Sequence, residues 1–155
     1  MADFNIAFHL TLQHEGGFSE NINDPGGATN MGITQKDLPG IDIRTLTLPA
    51  AMVYYQSQFW SSIYDQIDSQ DVANKIFDMR VLFGPKEAIM LLQLILNIDM
   101  DGVFGPFTLA VVNAQAPKDL LLRYQQKLRA HAQNVVIAHP EESVFLQGWL
   151  NRINS

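Results

Sequence analysis

The stretch DFNIAFHLTLQHEGGFSENINDPGGATNMGIT, residues 3–34, decides how this chain is read. Phe4, Phe8 and Leu12 recur every four residues, and Ile6 and Leu10 broaden the stripe, so the spacing predicts a helix over 3–15 that stops at Gly16 and Gly17. From Phe18 to Gly32 the character reverses to a loop rich in Asn, Asp, Pro and Gly. Asp24-Pro25-Gly26-Gly27 has the order of a tight turn: Asp opens it, Pro fixes the next φ, and Gly is free to take a positive φ.

Outward from that stretch the pattern stays helical. Thr34 and Asp37 cap one short turn before Pro39 and Gly40. A helix is expected over 49–63, where Ala51, Tyr55, Phe59 and Ile63 fall at four-residue spacing. Further helices are expected at about 70–81, 86–97, 107–114, 117–138 and 142–153, broken at Gly84-Pro85, Asp101-Gly102, Gly105-Pro106, Pro117 and Pro140. No long alternating stretch occurs, so any sheet should be a small hairpin near residues 18–33. The expected fold class is mainly α, α+β at most: a helical bundle around a cleft, expected as one domain over 1–155.

Composition supports a packed domain. Of 155 residues, 47% are hydrophobic and 17% charged, enough apolar chain for a core, and with no cysteine a disulfide framework is excluded. The 10 basic and 16 acidic groups give a net charge of -6, which offers no global field for nucleic acid. Charge is unevenly placed: residues 1–74 hold two basic and nine acidic groups, residues 75–155 eight basic and seven acidic. The basic face of the 117–138 helix (Lys118, Arg123, Lys127, Arg129) either steers the protein to anionic polymers or, the favoured expectation, pairs with the acidic first half. The longest apolar run, 88–98, has 11 residues, well short of the roughly 20 that span a bilayer. The first basic residue is Lys36, so no secretory signal is visible.

Glu15 is the residue most suited to chemistry. At the C-terminal end of a helix, beside an apolar face, a carboxyl is disfavoured as an anion, so it is expected to keep the proton that a general acid needs. The two glycines after it leave room for a polymer. Asp24 and Thr29 follow in a loop able to fold back across a cleft and position water. The same residues also read as a plain helix stop, a plain turn and a backbone cap, and spacing alone leaves both readings open. Asp99-x-Asp101-Gly102 fails as a calcium loop because Val103 and Ala110 stand where ligands are required. His9, His14, His131 and His139 lack partners at metal spacing, and no metal or cofactor is expected.

HEGGFSENINDPGGATNMGIT (residues 14–34) resembles the signature of glycoside hydrolase family 108, the peptidoglycan muramidases found as phage endolysins and as secretion-associated bacterial lysozymes. The family pattern is Glu-Gly-Gly-aromatic, a fixed gap, then Asp-Pro-Gly-Gly-Ala-Thr-Asn-x-Gly-Ile. The likeness continues through YYQSQFWSSIYDQI (54–67), ANKIFDMRVLFGPKEA (73–88) and DGVFGPFTLAVVNA (101–114), and the second half looks like the accompanying peptidoglycan-binding region. The resemblance implies a lysozyme-like fold with a catalytic part at about 1–80 and an integrated peptidoglycan-binding region at about 81–155, synthesis in a host or bacterial cytoplasm with action in the periplasm or cell wall after release, and Glu15 as proton donor to the glycosidic oxygen, with Asp24 and Thr29 orienting or activating water. Phe18 stands where Tyr is common, Leu82 where a polar residue is expected, and Arg80 where a small one is.

Sugar faces pack on flat rings, so the aromatic cluster at 54–64 is the expected recognition element. Tyr54, Trp60 and Tyr64 are assigned to the groove, with Asn30 from the matched motif, while Tyr55 and Phe59 are expected to be buried. The expected activity is that of an endolysin-type muramidase cutting the β-1,4 bond between N-acetylmuramic acid and N-acetylglucosamine. A lytic transglycosylase and a non-catalytic wall-binding module are the alternatives. Peptidoglycan glycan strands are the expected partner of a monomer, with neither nucleic acid nor stable membrane insertion.

Overall fold

A helix buried on nearly every side organises the molecule. In the computed structural model, which describes residues 1–20 and 27–155, α3 (Gln70–Phe83) buries Val72, Ala73, Ile76, Phe77 and Met79 and, unusually, Lys75 and Asp78 as well. Ser69 caps its start by accepting from the Val72 amide at 3.4 Å. Around it pack α1 (Phe4–Leu12), α2 (Leu48–Phe59), α4 (Pro85–Leu96), α6 (Pro117–Ala138) and α7 (Leu146–Asn154), while α5 (Pro106–Asn113) rests on α4. Short 3-10 turns stand at Ile43–Thr45, Ser62–Gln66 and Pro140–Phe145. Proline begins α4, α5 and α6, where its missing N–H removes nothing from the helix.

Two antiparallel strands form the only sheet among the described residues: β1 (Thr29–Asn30) and β2 (Ile33–Thr34), with Asn30 opposite Ile33. The hairpin thus lies at the far edge of the region where one was expected. Its two-residue turn has positive φ at both Met31 (50°) and Gly32 (75°), which matches the right-handed twist of the strands. The Thr29 backbone also bridges Ser19, with both N–H to O distances 2.8 Å, which ties the hairpin to the chain leaving α1.

Three expected boundaries move. Helix α1 ends at Leu12, not at the glycines: Gln13, His14 and Glu15 donate to Leu10, Thr11 and Leu12 at 3.2, 2.9 and 3.1 Å, a 3-10 turn that satisfies the last carbonyls. The 49–63 helix stops at Phe59, because Trp60 turns extended (φ -117°, ψ 130°) to bury its indole. The last helix is preceded by a 3-10 turn, so α7 begins only at Leu146.

One hydrophobic cluster runs through both halves, from Phe4, Phe8, Tyr55 and Phe77 to Leu92, Leu120, Tyr124 and Leu128. The acidic first half is not neutralised by α6. Among the described residues its arginines bond neutral groups within the second half: Arg123 to the Ile95 carbonyl (2.8 Å) and Gln115 Oε1 (2.7 Å), and Arg129 to Asn154 Oδ1 (2.6 Å). The expected pairing is not seen among the described residues, where this helix packs on α3, α4 and α7. No described helix is long and apolar enough to cross a membrane.

Candidate active site

Because α1 tightens before it ends, Glu15 leaves the helix on a turn aimed at the hairpin. An ideal Cβ on Gly32 would lie 2.5 Å from Glu15 Oε2 and 2.5 Å from the Tyr55 hydroxyl. Only glycine admits the carboxylate there, and its φ of 75° is one that side-chain-bearing residues rarely adopt. The Tyr55 hydroxyl donates to the Met31 carbonyl at 2.9 Å, pinning the turn from below. Burial raises the Tyr55 phenol far above its ordinary range, with the Glu15 charge adding to it, so the hydroxyl stays a donor.

The other wall comes from the far end of the chain. Arg152 on α7 places Nη1 2.8 Å from Glu15 Oε1, both side chains largely buried. Its Nε donates to Asp78 Oδ1 at 3.0 Å, and Nη2 lies 2.9 Å from the same oxygen without a well-formed hydrogen bond. Burial pulls the guanidinium pKa down, but the charges and hydrogen bonds of Asp78, then Glu15, outweigh it and raise it above the usual arginine value. Lys75, one turn before Asp78, donates Nζ to the Arg152 and Ile153 carbonyls at 3.1 and 3.0 Å, closing the C-terminal end of α7. Burial lowers the Lys75 pKa, with Arg152 acting the same way and Asp78 opposing.

Glu15 faces a cavity of about 370 Å³ bounded by Gly32, Asp37, Tyr54, Phe59, Leu82 and Arg152. Tyr54 therefore stands beside Glu15, and its phenol is raised by burial and by the Asp37 charge. Asp37 is held by Thr34, whose hydroxyl and amide donate to Oδ2 at 2.7 and 3.1 Å. Tyr55 is buried as expected, whereas Phe59 is only half-buried and lines the cavity.

Other assigned residues lie elsewhere. Trp60 and Tyr64 are core, not groove: Trp60 packs on Phe4 and Phe77 and donates Nε1 to Asp65 at 2.8 Å, and Tyr64 sits against Phe104 with a ring separation of 4.8 Å. The helix end at Phe59 turns both inward. Asn30 serves the hairpin, its amide donating to the Ile43 carbonyl at 3.0 Å, and Thr29 pairs through its backbone; neither lines the Glu15 cavity. Asp24 lies outside the described residues.

Arg80, an apparent departure in the sequence, has a structural task. It donates to the Phe59 carbonyl at 3.0 Å and the Tyr64 hydroxyl at 2.5 Å, holding the end of α2 against α3. The DGVFGP stretch is likewise a built turn: Gln93 bonds Asp101 Oδ1 (2.7 Å), the Val103 carbonyl (3.1 Å) and the Gly102 amide (2.9 Å).

Residues 8–84 match the family described as glycosyl hydrolase 108, and residues 87–154 match one described as a predicted peptidoglycan domain. This chain belongs to glycosyl hydrolase family 108. The structure of SagA from Brucella abortus superimposes with a TM-score of 0.80 at 29% identity, covering 97% of this chain and 89% of that one. No curated protein sequence matches the chain. The family and the second domain make this a glycoside hydrolase with peptidoglycan as its partner.

In this family 108 hydrolase, the residues that sequence reasoning missed are those that meet Glu15 from a distance: Arg152, Asp78, Gly32 and Tyr55. A single signal was available for the first two. A Lys and an Asp on the apolar face of a helix, as at 75 and 78, call for buried partners, and Arg152 is the last cation of the chain.

Proposed function

We propose that the protein hydrolyses the β-1,4 bond between N-acetylmuramic acid and N-acetylglucosamine, with Glu15 as the general acid. The observation that carries this reading is Glu15 gripped between Gly32 and Arg152 at the edge of an open cavity. In the proton-donating state the Glu15 to Arg152 contact is a hydrogen bond to a neutral carboxyl. The guanidinium charge is then balanced by Asp78, already bound through Nε. Glu15 gives its proton to the glycosidic oxygen as the bond to the anomeric carbon breaks and an oxocarbenium-like centre develops. Water adds to that centre, with Asp24 orienting it and taking up its proton in the role that the motif implies. The second half, about 81–155, holds the wall, and the protein works as a monomer that acts in the periplasm or cell wall.

The test is Glu15→Gln against the parent on isolated sacculi, with circular dichroism to check the fold. The amide cannot donate as an acid, and a fall of about two to four decades in the release of reducing ends is expected. Equal clearance by both would overturn the assignment. Mass spectrometry of the fragments should find reducing muramic ends; anhydro ends would reveal a transglycosylase instead.

A further inference from the structure

A second cavity, of about 410 Å³, adjoins the Glu15 cavity and shares Leu82 and Arg152 with it. Its far side is built from the Pro140–Phe145 turn and the start of α7 by Phe145, Gly148, Trp149 and Asn151. The Phe145 and Trp149 rings are stacked, with centroids 6.2 Å apart and planes 24° from parallel, and Phe83 backs Trp149 edge-on at 6.1 Å. Phe145 is nonetheless 55% exposed and Val144 76%. Nothing lies within 4 Å of an ideal Cβ on Gly148, so the surface beside the rings is open at that position.

We infer that Phe145 and Trp149 form a sugar-binding platform that holds the glycan strand at a distance from the bond being cut; this rests on the muramidase reading of the Glu15 cavity. Three features select a glycan. The site continues the cavity that bears Glu15, so a strand seated there runs on across Leu82. A flat pair of rings, Phe145 exposed and Trp149 half-buried, matches the apolar faces of pyranoses. His14 and Asn151 offer hydrogen-bonding groups for hydroxyls, and no carboxylate lines this second cavity to recruit the amines of a peptide stem. Leu82, where the family pattern suggested a polar residue, then serves as the apolar floor between the two cavities.

Tryptophan fluorescence reads the site directly, because the other tryptophan, Trp60, is in the core. The Glu15→Gln protein is titrated with peptide-free glycan, from the disaccharide to progressively longer oligosaccharides. Longer chains should change the emission and the disaccharide should not, and Trp149→Phe should abolish the change. Phe145→Ala should weaken binding of the longer chains about three- to tenfold, the range of a lost aromatic stacking contact. Gly148→Gln, which fills open space without disturbing a neighbour, should do the same. Unaltered emission and affinity in Phe145→Ala and Gly148→Gln, or a response only to peptide-bearing fragments, would overturn the platform. The muramidase reading fails separately, if Glu15→Gln clears sacculi as fast as the parent, and the titration decides the platform either way.

Discussion

Two arginine–glutamate pairs flank the same hairpin, and they differ in what surrounds them. Arg44 and Glu20 meet at 2.6 Å on the outer side with side chains 59% and 50% exposed; Arg152 and Glu15 meet at 2.8 Å with 10% and 16% exposed. The shorter contact is the weaker one. Water and salt screen the outer pair and its long side chains lose entropy in pairing, whereas the inner guanidinium sits between two carboxylates from which water is largely excluded. Distance alone says little about an ion pair; access of solvent decides its weight.

The strongest way to break the contrast is Arg152→Ala. It strands Asp78 in the core without a counter-charge and unties α7 from Glu15, and a loss of about 3–5 kcal/mol is expected in urea denaturation. Combining Arg152→Met with Asp78→Leu should recover most of that stability, since an apolar pair of similar size can replace a buried ion pair, while activity on sacculi stays low. If the double variant regained full activity, Arg152 would have no part in holding Glu15.

Next in size is Gly32→Ala. The left-handed backbone alone costs of order 1–3 kcal/mol in a residue with a side chain, and the new Cβ would press on the Glu15 carboxyl. Clearance of sacculi should fall more than the midpoint of unfolding does. An activity unchanged from the parent would show that the carboxyl position does not matter.

Solvent access also separates the phenols. Burial pushes Tyr64 up to about 12, with Arg80 opposing, and raises Tyr55 and the fully enclosed Tyr124 further. In the unfolded chain each ionises near pH 10, so the folded protein binds more protons above that point. The stability this confers is complete below pH 10 and drains away as pH climbs toward 12. Melting temperature should therefore fall steadily between pH 10 and 12, and phenolate absorbance should rise together with unfolding. Phenols titrating fully before the fold is lost would contradict their burial.

The smallest effect is expected at the outer pair. Arg44→Ala should leave the midpoint of unfolding where it is at physiological salt, and added salt should change parent and variant alike. A clear loss would place the two pairs in one class.

Much of the helical layout was legible because its signals are local. Prolines at 85, 106 and 117 begin helices, and each acts through its immediate neighbours. The misjudged aromatics fail for the opposite reason. Four-residue spacing places Tyr55, Phe59 and Ile63 on one face only while the helix lasts, and it lasts to Phe59; beyond it Trp60 and Tyr64 follow the core.

The sequence by itself determined the helical class, the breaks between helices and a carboxylate followed by two glycines ahead of a turn-rich loop, because backbone propensity and capping act over a few residues. Only the tertiary structure decided what that carboxylate meets. Arg152 reaches Glu15 because Lys75 and Asp78 on a buried helix fix the last turn of the chain. Such a pairing depends on packing across the whole molecule, where burying a charge demands a partner but no local pattern names which one.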